Sequence, residues 1–195
     1  MDKKVIVFDF DKTLTNYDTI LPFFLFCCRK NVIRYLLIPL YLLIKILSKF
    51  GLISVKIEKE IGLIFFCPKN IHDFHLMCIE FSKTVELNQI FNDIYAKILK
   101  LKVHILIIVS GSFQHYLDEI FPNILVIGTT LKLDKKNNII GIDDHPFKYE
   151  KVELLKKNGI NSIDIFYTDS KNDIPITNFA KKTNWINKGE IVHRN

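Results

Sequence analysis

Val5-Ile6-Val7-Phe8-Asp9-Phe10-Asp11-Lys12-Thr13-Leu14-Thr15 decides the fold: four apolar or β-branched residues run straight into two carboxylates one residue apart. So short and uniformly apolar a run reads as a strand buried on both faces of a parallel sheet. Polar residues at its carboxyl end mark the edge where such sheets hold ligands. Working outward, Val103–Val109 repeats the pattern and ends at Ser110-Gly111-Ser112, and Ile163–Tyr167 repeats it and ends at Thr168-Asp169-Ser170. The expected fold is α/β, a Rossmann-like parallel sheet flanked by helices, with its site along the carboxyl edge.

Helices fit between these strands. Ile90, Ile94, Ile98 and Leu101 recur at helical spacing, a helix is expected to follow Ser110-Gly111 from Phe113 to Ile120, and Tyr149–Lys157 places Val152 and Leu155 on one side. Ile124–Ile127 can join the sheet, and Leu131–Leu133 with Ile139–Gly141 flank Lys135-Lys136-Asn137-Asn138 as a hairpin. His104, inside an apolar strand, is expected in the core. Asn16 to Glu86 lacks alternation and carries long apolar helical stretches, so it reads as an all-helical insertion, or cap. The domains are then an α/β core over 1–15 and 87–195 and a cap over 16–86.

The chain has 195 residues, 27 basic and 21 acidic side chains, a net charge of +6 and 49% hydrophobic residues. That excludes a disordered tail or a fibre and fits one domain with an insertion. Cys27, Cys28, Cys67 and Cys78 show no metal spacing and are expected as buried reduced thiols. The start of the chain has no secretory pattern, so a cytoplasmic location is expected. Tyr35–Ile44 is free of charge, is interrupted by Pro39 and is too short to span a bilayer, which takes roughly 20 residues. Its flanks Arg29, Lys30, Arg34, Lys45, Lys49 and Lys56 are all basic, the pattern of peripheral contact with an anionic membrane, here at the inner face. Packing of this segment on its own domain or on a second copy is equally consistent with the pattern.

Asp9 and Asp11 at one strand end can share a pocket, with the Phe10 carbonyl between them, and Asp169 and Asp173 add carboxylates from the last strand. Hard oxygen donors around one site call for a divalent cation, and Mg²⁺ is the natural one. Ser110 and Gly111 offer backbone N–H groups at a helix start to a phosphate. Lys151, with Lys148 as its competitor, supplies a cation for a transferring phosphoryl group.

These segments, Asp9–Thr15, Val109–Ser112, Lys151-Val152 and Thr168–Pro175, resemble the four ordered motifs of the haloacid dehalogenase superfamily, and the helical insertion resembles the C1-type cap of the phosphoserine-phosphatase-like branch. Within that branch the layout is similar to the phosphatidylglycerophosphatase C type: a basic-flanked apolar cap, Glu150-Lys151-Val152, Tyr167–Ser170 and a tail around Trp185–Glu190. The resemblance implies a Mg²⁺-dependent phosphatase acting through an aspartyl-phosphate, with Asp9 as nucleophile and Asp11 as acid and base. It implies Thr13, Ser110, Gly111 and Lys151 on the phosphate, and Asp9, Phe10, Asp11, Asp169 and Asp173 around the metal. Asn172 would orient the Asp169–Asp173 loop.

Lys12 and Thr168 stand where the family commonly has glycine. The implied substrate is a lipid phosphate such as phosphatidylglycerophosphate. A soluble phosphatase for phosphoserine or a sugar phosphate, and a non-catalytic basic module binding membrane or nucleic acid, stay open as alternatives. Phenylalanines of the insertion read as packing rather than a base-stacking platform, so nucleic acid is not the expected partner.

Overall fold

The computed structural model describes residues 4–101 and 104–194. In chain order it contains β1 (Lys4–Phe8), α1 (Ile20–Cys28), a 3-10 helix (Val32–Leu37), α2 (Ile38–Lys49), α3 (Val55–Phe66), α4 (Ile71–Ser82) and α5 (Gln89–Leu101). Then come β2 (His104–Phe113), α6 (Gln114–Ile120), β3 (Leu125–Thr129), β4 (Leu131–Leu133), β5 (Ile139–Ile142) and α7 (Tyr149–Lys157). β6 (Ile165–Thr168), a 3-10 turn (Lys171–Asp173), α8 (Ile174–Thr177), β7 (Thr183–Asn187) and β8 (Glu190–Arg194) complete it. The side chains of Ile98, Leu101 and His104 lie outside the described set.

The main sheet has the order β3-β2-β1-β6-β7-β8, parallel except for β8, which pairs antiparallel with β7; β4 and β5 form the separate hairpin. β1 is central because Ile6, Val7 and Phe8 are apolar toward both faces and buried. Its register, Phe8 beside Ile108 and Tyr167, brings the ends of β1, β2 and β6 to one edge. The chain leaves β1 toward β2 on one side and β6 on the other, so a crevice opens at this edge. The β7–β8 extension has no counterpart in the expected elements. Trp185-Ile186-Asn187 and Ile191-Val192-His193 are short, mixed runs around Lys188-Gly189, too weak to read as strands without their partner.

Ser110-Gly111-Ser112 departs from expectation. β2 does not stop there: it passes a register irregularity between Val109 and Phe113 and continues to pair Phe113 with Thr129 of β3. The helix begins only at Gln114, so Ser110 and Gly111 belong to an irregular strand end rather than a helix start. Extending the ladder to Thr129 outweighs starting the helix early.

Ile20 to Ser82 is helical apart from short connections, and it shares one apolar cluster with a sheet face. Phe23 is its hub, with ring centroids 5.5 Å from Phe74, 5.1 Å from Phe81, 5.6 Å from Phe113 and 5.2 Å from Tyr116. Edge-to-face and tilted aromatic pairs add to area burial. Gly62 lets α3 close on α1, since a Cβ there would lie 2.3 Å from the Phe24 ring. All four cysteines are free and buried. Removing the hub should therefore loosen the insertion from the sheet: Phe23→Ala is expected to cost about 3–5 kcal/mol in urea unfolding. A loss below about 1 kcal/mol would show that the helices hold without it.

Candidate active site

The carboxyl edge opens into a cavity of about 260 Å³ whose walls include Asp9, Asp11, Ser110, Gly111, Lys151 and Asp169. The sheet places the first. Asp9 follows β1 directly and its N–H donates to the Tyr167 carbonyl of β6 at 2.9 Å. Lys151, in the first turn of α7, reaches back under the edge. Its Nζ lies 2.8 Å from Asp9 Oδ1 and 2.7 Å from Asp173 Oδ1, and all three groups are buried. Burial alone would lower the lysine's proton affinity, but Asp9 and Asp173 outweigh it and hold the ammonium above the ordinary lysine range. Lys148 faces elsewhere, with its ammonium 5.3 Å from the Phe147 ring centre.

Asp173 is not a free ligand. Its second oxygen accepts the Thr168 hydroxyl at 2.7 Å, so both oxygens are committed and its work is to seat Lys151. Asp11 is committed as well: Oδ1 accepts the Thr19 N–H and hydroxyl, each at 2.7 Å, and Oδ2 accepts the Ser112 hydroxyl at 2.5 Å. Tyr116 extends this network, its hydroxyl 2.8 Å from that of Thr19. Burial, then the nearby Asp18, raises the Asp11 pKa, while the hydrogen bonds from Ser112 and Thr19 oppose the rise.

The Phe10 carbonyl, expected to face a metal, instead accepts the Leu14 N–H at 2.8 Å and those of Thr13 and Thr15 at 3.2 and 3.3 Å. The tight turn after β1 consumes it. Lys12 sits in that turn at φ 58°, the backbone region that favours glycine, which explains why a glycine suits this position and what the lysine strains. Thr13 is fully buried behind the cavity. Its hydroxyl accepts the Asp169 N–H at 3.0 Å and touches the Asp169 carboxylate at 3.4 Å, so it braces Asp169 rather than reaching a phosphate. Asn172 lines the cavity with an exposed side chain. The loop is set by Ser170, which accepts the Asn172 N–H at 3.2 Å, and by Thr168, which accepts the Ser170 N–H at 3.0 Å.

Several members of the site have no strong sequence signal. Lys59 of α3 enters buried and donates to the Gly111 carbonyl, which also accepts the Thr129 hydroxyl. His145 backs that threonine, its Nδ1 3.0 Å from Thr129 Oγ1, and burial with the nearby Lys59 lowers its pKa to about 2. A Cβ at Gly111 would lie 2.9 Å from the Lys59 ammonium, so a side chain there would displace that lysine end. Asp18, Lys45 and Glu58 complete the polar wall.

The donor set bears on a cation. Among the described residues, the cavity gathers the carboxyl groups of Asp9, Asp11, Asp169, Asp173 and Glu58, with Lys151 and Lys59 as its buried cations. Asp9 is pushed up to about 8 by burial, which outweighs the opposing attraction of Lys151; repulsion from Asp173 and Asp11 adds to the rise, and burial raises Asp169 too. Among the described residues no donor reaches Asp9 Oδ2. No cluster of three or more ligating side chains forms among them. Mg²⁺ asks for less, since it binds through one or two carboxylates and keeps water and substrate phosphate as its other ligands. Asp9 and Asp169 fit that demand.

The sequence model of the haloacid dehalogenase-like hydrolase family matches residues 6–177. The chain therefore belongs to the haloacid dehalogenase-like hydrolases. No curated protein matches it. Similar solved structures include a protein of unknown function from Bordetella pertussis Tohama I, at 17% identity and TM-score 0.77 over 91% of this chain and 87% of that one. A phosphoserine phosphohydrolase-like protein from Francisella tularensis subsp. tularensis SCHU S4 follows at 18% identity and TM-score 0.66 over 92% and 85%. A phosphoserine phosphatase carrying a phospho-aspartyl intermediate analogue aligns at 19% identity and TM-score 0.61 over 94% and 86%. At these identities the likeness shows the shared fold.

Lys59 provides a test of the cavity's electrostatics. Burial lowers its pKa from 10.5 to about 8, with Asp11 and Asp18 opposing. Between these values the unfolded chain still holds a proton that the folded chain has released, so stability rises with pH across that window. Lys59→Met lacks this term. Its stability advantage over the wild type is expected to shrink by up to about 1 kcal/mol per pH unit as urea unfolding is moved from pH 8 to pH 10. A pH-independent gap would place the lysine in water.

Proposed function

We propose that this hydrolase is a Mg²⁺-dependent phosphatase that cleaves a phosphomonoester through an aspartyl-phosphate on Asp9. The observation that carries the reading is Lys151 locked between Asp9 and Asp173. The bond fixes Asp9, a cavity-lining residue, by one oxygen and leaves Oδ2 without a donor among the described residues, as a carboxylate nucleophile needs. Asp9 Oδ2 would attack phosphorus as the ester oxygen departs, and Asp11, held by Thr19 and Ser112, would give that oxygen its proton. Asp11 would then take a proton from the water that cleaves the acyl phosphate, releasing inorganic phosphate and restoring Asp9.

Asp9 and Asp169 would hold Mg²⁺, which supplies the positive charge that lets an anionic nucleophile meet an anionic phosphate. Lys151 would add to that charge, and the backbone at Ser110-Gly111 would receive phosphoryl oxygens. Residues 16–86 act on this reading as a cap over a core of 1–15 and 87–195, delivering Asp18, Lys45, Glu58 and Lys59 to the substrate side.

The finer reading is a lipid phosphate, such as phosphatidylglycerophosphate, met at the inner face of an anionic membrane by a cytoplasmic protein. A polar cavity of about 260 Å³ takes a phosphorylated glycerol head and leaves acyl chains outside. The opposed charges of Asp18, Glu58, Lys45 and Lys59 favour a second reading, a phosphorylated amino acid whose ammonium and carboxylate they would match.

Phosphate release from a panel of glycerol, lipid, sugar and amino-acid phosphates tests both readings. Wild type with Mg²⁺ is expected to release phosphate, chelator to abolish it, and Asp9→Asn to lower kcat at least about 10³-fold; equal release by Asp9→Asn would remove Asp9 from the chemistry. Preference for phosphoserine over the glycerol and lipid phosphates would select the second reading.

A further inference from the structure

The outside of the helical insertion contradicts the rule that a surface helix turns its apolar face inward. On α2, Tyr41 and Ser48 are buried and Lys45 borders the cavity, so the inner face is accounted for. The outer face carries Leu40, Leu42, Leu43 and Ile46, which are 41% to 52% exposed. Around it the neighbouring segments add Val32, Ile33, Leu36, Phe50, Leu52 and Ile64, which are 69% to 79% exposed. Single exposed leucines are ordinary, but a continuous set of this kind on adjoining elements marks a contact surface.

Charge identifies the occupant. From Thr19 to Ile57 the chain has no acidic residue and six basic ones, Arg29, Lys30, Arg34, Lys45, Lys49 and Lys56. Arg29, Lys30 and Lys49 are exposed, and they flank the apolar positions 32–46 in the chain. A second copy packed on the same face would bring these cations together with no carboxylate from this stretch to answer them. A bilayer containing anionic lipid offers an apolar layer for the leucines and negative headgroups for the rim. Among the described residues no helix is long and apolar enough to cross a membrane, so contact through this face is interfacial.

We infer that the 3-10 helix and α2 form a docking face for an anionic lipid surface, seated with Leu36, Leu43 and Ile46 in the interface and Arg29, Lys30 and Lys49 on the headgroups. The inference deepens the lipid-phosphate reading, because α2 carries this face on one side and Lys45 of the cavity wall on the other. With α2 about 10 Å across, docking would hold the cavity within about one helix diameter of the headgroup layer. The polar cavity and the apolar exterior then divide one substrate between them.

Flotation with two vesicle types tests the face. Wild type is expected to float with phosphatidylcholine vesicles containing phosphatidylglycerol at least tenfold better than with phosphatidylcholine alone, and to be released by added salt. Leu43→Glu/Ile46→Glu should lose at least tenfold in partitioning while keeping its circular dichroism and its hydrolysis of p-nitrophenyl phosphate. Equal flotation of wild type and double variant, or no flotation of the wild type, overturns the docking face. So does a wild-type dimer in sedimentation that this double variant dissolves, which would give the face to a second copy. Flotation without hydrolysis of any phosphomonoester would uphold the docking face and overturn the phosphatase reading; hydrolysis without flotation would do the reverse.

Discussion

A buried ammonium held between two buried carboxylates organises this molecule. Lys151, 2.8 Å from Asp9 and 2.7 Å from Asp173, ties the end of β1 to the loop after β6 and to the start of α7. Each charge alone would be costly to bury, and removing one partner of such a group strands the others. The arrangement persists because each remaining oxygen has a defined use. Asp173 gives its second to Thr168, and the second of Asp9, a residue of the cavity wall, has no donor among the described residues. The same constraint that completes the sheet edge thus presents a single carboxylate oxygen to whatever enters.

Around that triad the site grades from fixed to adaptable. Asp11 is held on both oxygens by residues of two separate segments, Thr19 before α1 and Ser112 at the end of β2. Lys59 comes from the helical insertion and rests on the Gly111 carbonyl, so the insertion touches the strand end proposed to receive phosphate. The aromatic hub at Phe23 carries this coupling further, since it joins the helix after Thr19 to Phe113 and Tyr116 beside Ser112. The cavity-lining groups of the insertion and of the sheet edge are therefore parts of one packed unit. The exterior of that unit is the least self-sufficient part of it, with an apolar face that the protein's own chain leaves open.

Much of this was legible before any coordinates. Uniform apolar runs ending in acidic or small polar residues gave β1, β2 and β6, and the helical period gave α7 with Lys151 facing the edge. What escaped depended on partners far away in the chain. Thr168 reads as a departure from a glycine, yet it is the hydroxyl that anchors Asp173. Thr19 and Ser112 are unremarkable as letters and meet only because α1 packs against the end of β2. The Phe10 carbonyl looked available because the alternation of a strand was carried one residue too far, whereas the chain turns at once and spends that oxygen on Leu14. Thr13, which the family resemblance puts on the phosphate, is buried in that same turn and braces Asp169. Lys59 belongs to a charged helix turn, Glu58-Lys59-Glu60, which reads as solvated until α3 is laid over the cavity.

The most direct measurement is the position of the phosphoryl group during turnover. Acid quenching of the wild type mixed with a hydrolysed phosphomonoester and Mg²⁺, followed by peptide mapping, is expected to find phosphate on the carboxylate of Asp9 and on no other residue. Phosphate on another side chain, or release of product with Asp9 never modified, would contradict the account.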